Sequence, residues 1–384
     1  MPDAESSTPD RRVLFIYLGR RGIIGQLALE LAHALVKPEQ NAVFFALSNQ
    51  NELIGDFDWL GAALLRLDTF ERVLSASHVV NFWRSRRRLM QFVRINRISH
   101  VVTLMPHIWT PLFLKSIRSK GVHYTTIIHD AVSHPGDPTA AVTPWLRREA
   151  ALADDVVALS HAVANALVEQ GHAPASRTRS LFLPDLGYGA VPAPRRLDPD
   201  KPFRLLFLGR ILAYKGLPIL VDAVERLRAD GHDIRLGVAG AGELADLRPR
   251  LDALGAETVN RWLGDAELAP LLARYDAIAL PYIEASQSGV AAVAFANCMP
   301  IVATPTGGLE DQVVDGRTGV LAGAISGEAF AAAIKRMVTT PGLYNAVSES
   351  LFDHVQQRSV RAFAETLLRF PAALPARSLD ARQS

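Results

Sequence analysis

Short apolar runs of strand length alternate with stretches of helical periodicity along most of the chain. The runs "RRVLFIYLG" at 11–19 and "NAVFFALS" at 41–48 are typical of buried strands, and "QLALELAHALV" at 26–36 has apolar residues at helical spacing. A further helix is predicted around 59–67, and the alternation restarts with "FRLLFLGR" at 203–210. Strands that alternate with helices form parallel sheets covered on both faces. The sequence therefore predicts an α/β protein with doubly wound, Rossmann-like sheets.

A proline-rich interruption separates the two series of alternating elements. The segment "PDLGYGAVPAPRRLDPDKP" at 184–202 contains five prolines and two glycines, a composition typical of a linker. A chain of 384 residues is also long for a single hydrophobic core. We therefore predict one domain over 1–190, a second over 191–358, and a C-terminal helix with a frayed tail over 359–384.

Composition argues against several classes of protein. A formal net charge of +2 is too small to indicate nucleic-acid binding. Cys298 is the single cysteine, so an intramolecular disulfide and a multi-cysteine metal site are excluded, as suits a reducing cytoplasm. No uncharged apolar run reaches the length of a membrane span, and the polar start "MPDAESSTPDRR" differs from a secretory signal. We expect a soluble, cytoplasmic protein.

The first strand-to-helix turn is glycine-rich. Ligands of open α/β sheets bind beyond the carboxyl ends of the strands, where "GRRGIIG" places Gly19, Gly22 and Gly25. Glycines there allow backbone N–H groups to approach an anion at a helix N-terminus, although a tight turn alone would also explain them. The spacing is not G-x-G-x-x-G, and the next strand ends in Ser48 and Asn49 without an acidic residue, which disfavours NAD.

Two cations follow the first strand of the second domain. Arg210 and Lys215 lie in "LGRILAYKG" at 208–216, where a guanidinium fork and an ammonium point charge could converge on a diphosphate. The alternative is an ordinary solvated loop. Both interpretations place these side chains at the carboxyl edge of the second sheet.

A polar break, "EASQSG" at 284–289, interrupts two apolar runs near the fourth strand of the second domain. Ser286, Ser288 and Gly289 would begin the next helix, with backbone N–H groups and hydroxyls directed at an anion. A helix N-cap is the alternative, and it accounts for one serine. It does not account for a carboxylate, a glutamine and two serines together.

A histidine pair follows a strand of the first domain. In "TTIIHDAVSHPGD" at 125–137, His129 and Asp130 end the strand and His134 lies nearby. Two histidines and an aspartate at this spacing fit no standard zinc pattern. The open alternatives are a capped loop histidine and a histidine that faces the cleft between the domains.

The segment "FWRSRRRLMQFVRINR" at 82–97 combines six arginines with aromatic and aliphatic residues. If it is helical, it forms a basic amphipathic surface able to lie on anionic lipid. The alternative is a helix that covers the sheet and leaves its arginines solvated.

Taken in order, these motifs resemble the retaining glycosyltransferases of family four, which have the GT-B fold of two Rossmann-like domains facing across a cleft. The stretch "LLFLGRILAYKGLPILVDAVERL" at 205–227 resembles that family's strand–GR–loop–KG–helix signature, and 276–321 resembles its donor-site signature. The form "PY-x-x-ASQSG" resembles a subgroup in which SQSG replaces E-G-F-G, as do "IIHDAVSHPGD" and "LPDLGYG". The resemblance implies a C-terminal helix that packs back toward the first domain.

The resemblance also implies the residues of the site. Its catalytic residues would be Arg210, Lys215, His129 and Glu284. The residues that bind substrate would be Gly22, Ile23, Ile24, Gly25, Asp130, Gly209, Ser286, Gln287, Ser288 and Gly289. Arg210 and Lys215 would contact the donor's diphosphate, and His129 would lie beside the transferred sugar. The glycine turn of the first domain would face the same phosphates, and 286–289 would hold the sugar and distal phosphate through backbone N–H groups.

The chain departs from the family pattern at two places. Two glutamates separated by seven residues are usual, and alignment on Pro300 puts Ala285 and Val293 at those positions, with Glu284 one step out of register. The glycine that usually precedes this proline is also missing, since Cys298 and Met299 stand there. The sequence therefore does not identify the nucleotide base of the donor.

The implied reaction transfers a hexose from a nucleoside-diphosphate sugar to a hydroxyl of a glycan or lipid-linked acceptor, with retention, in surface polysaccharide assembly. No metal or other cofactor is expected, because preorganised cations and helix N-termini can stabilise the leaving diphosphate. A peripheral contact with anionic membrane on the cytoplasmic face would involve 82–97. The alternatives are a non-catalytic sugar-nucleotide-binding subunit, suggested by the missing glutamates, and a sugar-nucleotide epimerase.

Overall fold

A seven-stranded parallel sheet forms the core of the amino-terminal domain. The computed structural model describes residues 11–37, 40, 42–69, 76–131, 143–188 and 191–369. The strands are β1 (Val13–Tyr17), β2 (Val43–Ser48), β3 (Leu64–Leu67), β4 (His100–Thr103), β5 (His123–Ile128), β6 (Asp155–Ala158) and β7 (Thr178–Ser180). Their spatial order is β3-β2-β1-β4-β5-β6-β7, and all pairs are parallel. The order reverses between β1 and β4, where α/β sheets place their ligands.

Helices cover both faces of this sheet. They are α1 (Ile23–Leu35), α2 (Ala76–Ile95), α3 (Thr110–Arg118), α4 (Thr143–Leu152) and α5 (His161–Glu169), with 3₁₀ turns at Ile54–Ala63 and Ala175–Arg177. Successive residues of β1 enter opposite cores: Phe15 packs with α1, whereas Leu14 packs with α2, α3 and α5. This division follows from the two-residue period of a strand. The continuous apolar run at 11–19 is therefore buried on both faces.

The predicted helix around 59–67 is wrong over its second half. Residues Ile54–Ala63 form a 3₁₀ segment with a kink at Gly61, and Leu64–Leu67 is an edge strand paired with β2. Leu65 and Leu67 are buried while Leu64 and Arg66 are only partly covered, an alternation that marks a strand. Four residues are too few to reveal that period against a neighbouring helical turn.

The carboxyl-terminal domain contains a six-stranded parallel sheet. Its strands are β8 (Phe203–Leu208), β9 (Ile234–Ala239), β10 (Glu257–Val259), β11 (Ala277–Leu280), β12 (Ile301–Ala303) and β13 (Gly319–Leu321), in the order β10-β9-β8-β11-β12-β13. Its helices are α6 (Leu217–Ala229), α7 (Arg248–Ala253), α8 (Asp265–Leu272), α9 (Gly289–Ala296), α10 (Gly308–Gln312), α11 (Gly327–Thr339) and α12 (Leu343–Asp353). Leu205 faces α6 and α11, and Leu206 faces α9 and α12. The doubly wound architecture thus occurs twice.

The last helix, α13 (Val360–Arg369), returns to the amino-terminal domain. Phe363 lies in one core with β1 and α1, and its ring centroid is 6.0 Å from that of Phe182. Where the chain crosses back, Arg358 Nε donates to Asp185 Oδ2 at 2.8 Å, and the Asp185 N–H donates to the Arg358 carbonyl at 2.8 Å. The chain passes between the domains twice, near Asp185 and near Arg358, and these two segments are therefore hydrogen-bonded to each other. The predicted frayed tail beyond α13 lies outside the described residues.

None of the helices within the described ranges combines the length and apolar character that a bilayer crossing requires.

Candidate functional site

Loops at the carboxyl ends of strands from both sheets meet between the two domains. The loops after β1, β5 and β6 come from the amino-terminal sheet, and those after β8 and β11 come from the carboxyl-terminal sheet. Gln287 Nε2 lies 2.8 Å from His129 Nδ1, and Ser160 Oγ donates to the Ser286 carbonyl at 2.7 Å. A Cβ atom added at Gly289 would lie 2.7 Å from Ile23 Cδ1. Predicted residues of both domains, namely Ile23, His129, Ser286, Gln287 and Gly289, thus meet between the domains.

The loop after β8 is pressed against the loop after β11. Gly216 has φ +66°, and a Cβ atom there would lie 2.9 Å from the Pro281 carbonyl carbon and overlap its oxygen. The Ile283 N–H donates to the Tyr214 carbonyl at 2.7 Å. Only glycine combines this backbone conformation with so close an approach. The turn at Lys215 and Gly216, here called the KG turn, therefore brings Lys215 directly beside the polar break. Arg210 is exposed at the end of β8.

Lys215 has an aromatic partner. Its Nζ donates to the Tyr282 hydroxyl at 2.7 Å and lies 3.9 Å from the centroid of the Tyr282 ring. Burial lowers the pKa of Lys215 to about 8; the Arg210 cation lowers it as well, while Tyr214 and Asp130 act in the opposite direction. Since a neutral phenol does not neutralise the ammonium, the positive charge of Lys215 remains available to an incoming anion.

The polar break is a rigid loop. Ser288 Oγ accepts from the Ala291 N–H at 3.3 Å, so this serine is the N-cap of α9. Gln312 holds the same residue from both sides, since its Oε1 accepts from the Ser288 N–H at 2.6 Å and its Nε2 donates to the Ser288 carbonyl at 3.2 Å. A Cβ atom at Gly308 would lie 2.6 Å from the Ser286 carbonyl carbon, so the double glycine forms the floor of the loop. The Ser288 N–H was expected to face a ligand, but in this structure it donates a hydrogen bond to Gln312 Oε1.

His129 is a neutral histidine of the cleft. Its Nε2 lies 2.8 Å from the Leu104 carbonyl, which can only accept, so Nε2 carries the proton and Nδ1 accepts from Gln287. Burial lowers the pKa of His129, with opposing effects from the Leu104 carbonyl and Asp130. Gln287 Oε1 is buried and accepts no hydrogen bond from any residue in the described part of the chain. The other predicted histidine, His134, lies outside the described residues.

The glycine turn after β1 begins α1. Gly22 has φ +102°, and the Gly25 N–H donates to the Gly22 carbonyl at 2.9 Å to form the first turn. The Gly22 N–H was expected to face a phosphate, but in this structure it donates a hydrogen bond to the carboxylate oxygen Glu52 Oε1 at 3.1 Å. Ile23 lies toward Gly289, while Ile24 is buried in the core. The backbone of this loop forms a tight turn in this structure, and its contact with a phosphate stays a prediction.

The positions that depart from the family pattern have different environments. Glu284 is exposed at the start of the polar loop, and Ala285 is partly buried. Val293 is 5% exposed and packs in the apolar core below α9. The position where the family usually has its second glutamate is therefore an apolar core position in this chain.

Sequence reasoning missed four residues that shape the site. Tyr282 binds Lys215, Gln312 fixes Ser288, Ser160 reaches the Ser286 carbonyl, and Asp311 Oδ2 accepts from the His161 N–H at 2.7 Å across the cleft. Ser160 carries a local signal, since it is the N-cap of α5 directly after β6. The other three depend on elements that meet only in the folded protein.

Two doubly wound parallel sheets with a basic site in the cleft between them define a protein with the GT-B fold. A crystal structure of Alr3699/HepE from Anabaena in complex with UDP and glucose superimposes with a TM-score of 0.70, covering 93% of this chain and 99% of that one. The two sequences are 15% identical, so this likeness concerns the fold alone. The predicted fold is confirmed.

Sequence comparisons identify the carboxyl-terminal domain. Residues 202–340 match the family model described as Glycosyl transferases group 1. D-inositol 3-phosphate glycosyltransferase from Corynebacterium aurimucosum is 33% identical over 171 residues, covering 42% of this chain and 41% of the relative. Glycogen synthase from Mycobacterium tuberculosis is 29% identical over 205 residues, covering 52% and 49%. The chain thus spans less than half the length of these curated relatives. The predicted kinship with glycosyltransferases is confirmed for this domain.

Proposed function

We propose that this protein is a retaining glycosyltransferase that moves a hexose from a nucleoside-diphosphate sugar to a hydroxyl of a glycan or glycolipid acceptor. The observation that carries the proposal is the position of Lys215 beside the polar loop 284–289, with Arg210 at the end of the central strand β8 and its charge close enough to lower the pKa of Lys215. The match of 202–340 to a glycosyltransferase family model supports the same activity.

The two cations fit the electrostatics of a departing diphosphate. Transfer separates charge, because the sugar becomes oxocarbenium-like as the diphosphate leaves, and preorganised cations lower the barrier where that negative charge develops. The ammonium of Lys215 is bound to a phenol hydroxyl, so a phosphate need not displace a carboxylate. The acceptor's proton passes to a phosphate oxygen of the donor, which requires no protein base. We therefore propose that these side chains stabilise the leaving diphosphate and that the transfer needs no metal or other cofactor.

Gln287 and His129 suit the sugar end of the donor. Neutral His129 accepts a hydrogen bond at Nδ1, and Gln287 Oε1 is a buried acceptor that a sugar hydroxyl can satisfy. The lowered pKa of His129 disfavours its cation, so we assign it to hydrogen bonding rather than to proton donation. The hydrogen-bonded pair of Gln287 and His129 would then determine which hexose hydroxyl the site recognises.

The exposed face of α2 suits a membrane-borne acceptor. Leu89 and Val93 cover the sheet, while Trp83 is 58% exposed and Arg87 and Arg88 project outward. Basic residues beside an exposed tryptophan favour the surface of anionic lipid. We propose that the protein lies peripherally on the cytoplasmic face of the membrane and acts in surface polysaccharide assembly.

The test measures donor binding. A panel of uridine, guanosine, adenosine, cytidine and thymidine diphosphate sugars is screened by thermal shift, since a ligand of the native state raises Tm. With the donor that binds, Arg210→Ala and Lys215→Ala should each weaken affinity about 10- to 100-fold, the value of a charge-assisted hydrogen bond. Arg235→Ala is the matched control, because Arg235 lies on β9 and pairs with Asp233 at 3.1 Å. Undiminished donor affinity in both site variants would refute the assignment.

The buried Val293 favours one second candidate, a non-catalytic subunit that binds a sugar nucleotide. Its core position leaves no carboxylate where the family usually has its second glutamate. The same panel separates the two functions, because the subunit would bind a donor yet neither transfer nor hydrolyse it. Donor hydrolysis that depends on Lys215 would exclude this candidate.

A further inference from the structure

We propose that Tyr282 is a positioning residue for Lys215, and that binding of a nucleoside diphosphate draws a proton from solution onto the Lys215 amine. This inference rests on the proposed function, because it concerns the same diphosphate site. It adds a residue to that site and predicts that donor affinity depends on pH.

Tyr282 bridges the KG turn and the polar loop. It is 1% exposed, directly follows Pro281 at the end of β11, and places its hydroxyl 2.7 Å from Lys215 Nζ and 3.3 Å from Ser288 Oγ. Ser288 in turn caps α9. One phenol hydroxyl thus connects the ammonium to the cap of the helix that points at the cleft. Removing the hydroxyl releases Lys215 without removing the ring that fills the core.

The surroundings of Lys215 make its charge costly while the site is empty. Arg210 approaches from the end of β8 and Asp130 from the amino-terminal domain, while Tyr214 and Tyr282 contribute their rings from the KG turn and the β11 loop. The single carboxylate among these groups, Asp130, is an exposed residue that also has other contacts. The effect of burial on the pKa of Lys215 is therefore larger than the opposing effect of Asp130, and the Lys215 ammonium loses its proton more readily than a solvated lysine does.

A bound diphosphate reverses this balance. Its negative charges favour the ammonium, so the pKa of Lys215 rises from about 8 toward its ordinary value. A group whose pKa is higher in the complex takes up a proton on binding. Affinity is therefore greatest below pH 8 and declines as the pH rises through 8, by up to about tenfold per unit.

The measurement is titration calorimetry at pH 7.0 and 8.5, in buffers of different ionisation enthalpy, with UDP, GDP, ADP, CDP and TDP as probes. Above pH 8 the diphosphate itself is fully ionised, since its last pKa is ~6. For the probe that binds, we expect net uptake near zero at pH 7.0, where about 0.1 proton gained by Lys215 offsets about 0.1 lost by the diphosphate, and uptake of about 0.7 proton at pH 8.5. Lys215→Arg should take up almost none at either pH, because a guanidinium stays protonated.

Tyr282→Phe tests the positioning role. Loss of the hydroxyl removes an acceptor from the ammonium, so the pKa of Lys215 falls further and net uptake at pH 7.0 should rise to about 0.4 proton. Affinity at pH 8.5 should fall about tenfold. Tyr344→Phe is the matched control, because Tyr344 is also buried and donates to a backbone carbonyl, that of Asp276, at 2.8 Å. A merely structural role for Tyr282 would lower Tm in both variants and leave the proton uptake unchanged.

The outcomes are distinct. Binding by the wild type without proton uptake at pH 8.5, or the same uptake in Tyr282→Phe as in the wild type, overturns this inference alone. Absence of binding by all five probes overturns the proposed function, and this inference with it.

Discussion

The contact between Gly216 and Pro281 offers a direct test of how the site is assembled. In Gly216→Ala the new Cβ atom would lie 2.9 Å from the Pro281 carbonyl carbon, whereas ordinary contacts begin at 3.4 Å. The KG turn must therefore move by roughly 0.5 Å or more, and Lys215 moves with it. Misplacement of about 1 Å can cost ~10²-fold in rate, so we expect donor affinity and turnover to fall at least about tenfold.

A second glycine supplies the control. Gly231 also has a left-handed backbone, with φ +86°, but a Cβ atom there would meet nothing within 4 Å. Gly231→Ala should lose only about 1 kcal/mol of unfolding free energy, the cost of the left-handed conformation, and keep wild-type turnover. Gly216→Ala should lose more stability and, in addition, activity.

Urea unfolding followed by circular dichroism gives the two free energies, and calorimetry with the donor gives the affinities. The reasoning is refuted if folded Gly216→Ala binds the donor as tightly as the wild type. It is equally refuted if Gly231→Ala impairs binding to the same extent, since backbone strain alone would then explain both variants.

Three further perturbations follow from the structure. Gln287→Ala removes the hydrogen bond to His129, so donor KM should rise about tenfold while unfolding free energy changes by about 1 kcal/mol or less; a loss of stability without a change in KM would contradict the sugar-binding role. Glu149 accepts hydrogen bonds from Thr110, Tyr124 and Thr126, and burial raises its pKa from 4.5 to about 7. The protonated Glu149 therefore stabilises the fold below pH 4.5, and this contribution of roughly 3 kcal/mol is lost as the pH rises to 7. In Glu149→Gln the unfolding free energy should depend less on pH between 4.5 and 7 than it does in the wild type. Replacing Arg84, Arg87 and Arg88 by glutamine should weaken co-sedimentation with anionic vesicles about 100-fold, and unchanged binding would exclude this face of α2.

The fold could be predicted because the central strands of both sheets are buried on both faces. Runs such as "VLFIY" in β1 are apolar at every position, and the intervening helices are long enough to show their own period. The edge strand β3 was missed because Arg66 interrupts a run of only four residues. Helix α12 was missed as well, since its polar residues obscure a buried stripe that includes Tyr344 and Leu351.

The loops of the site were located from topology, and their internal contacts were not. Parallel strands end at one edge, so 208–216 and 284–289 had to lie near each other. Nothing in the sequence indicates that the Gly22 N–H donates to Glu52, thirty residues away, or that Gln312 holds Ser288. Such pairs depend on the angle at which a later loop or helix returns to the sheet, which local periodicity does not encode.

Both contacts that cross the cleft at the polar loop link closure of the domains to the donor. Gln287 reaches His129, and the Ser286 carbonyl accepts from Ser160, so the loop takes its conformation partly from the opposite domain. A donor that binds this loop therefore favours the closed cleft, and a closed cleft favours the donor by the same factor. The pair of Arg358 and Asp185 is different, because it joins the two chain crossings and involves neither donor loop. Substitution at Gln287 should consequently change donor affinity, whereas substitution at Arg358 should change the stability of the two-domain arrangement with or without ligand.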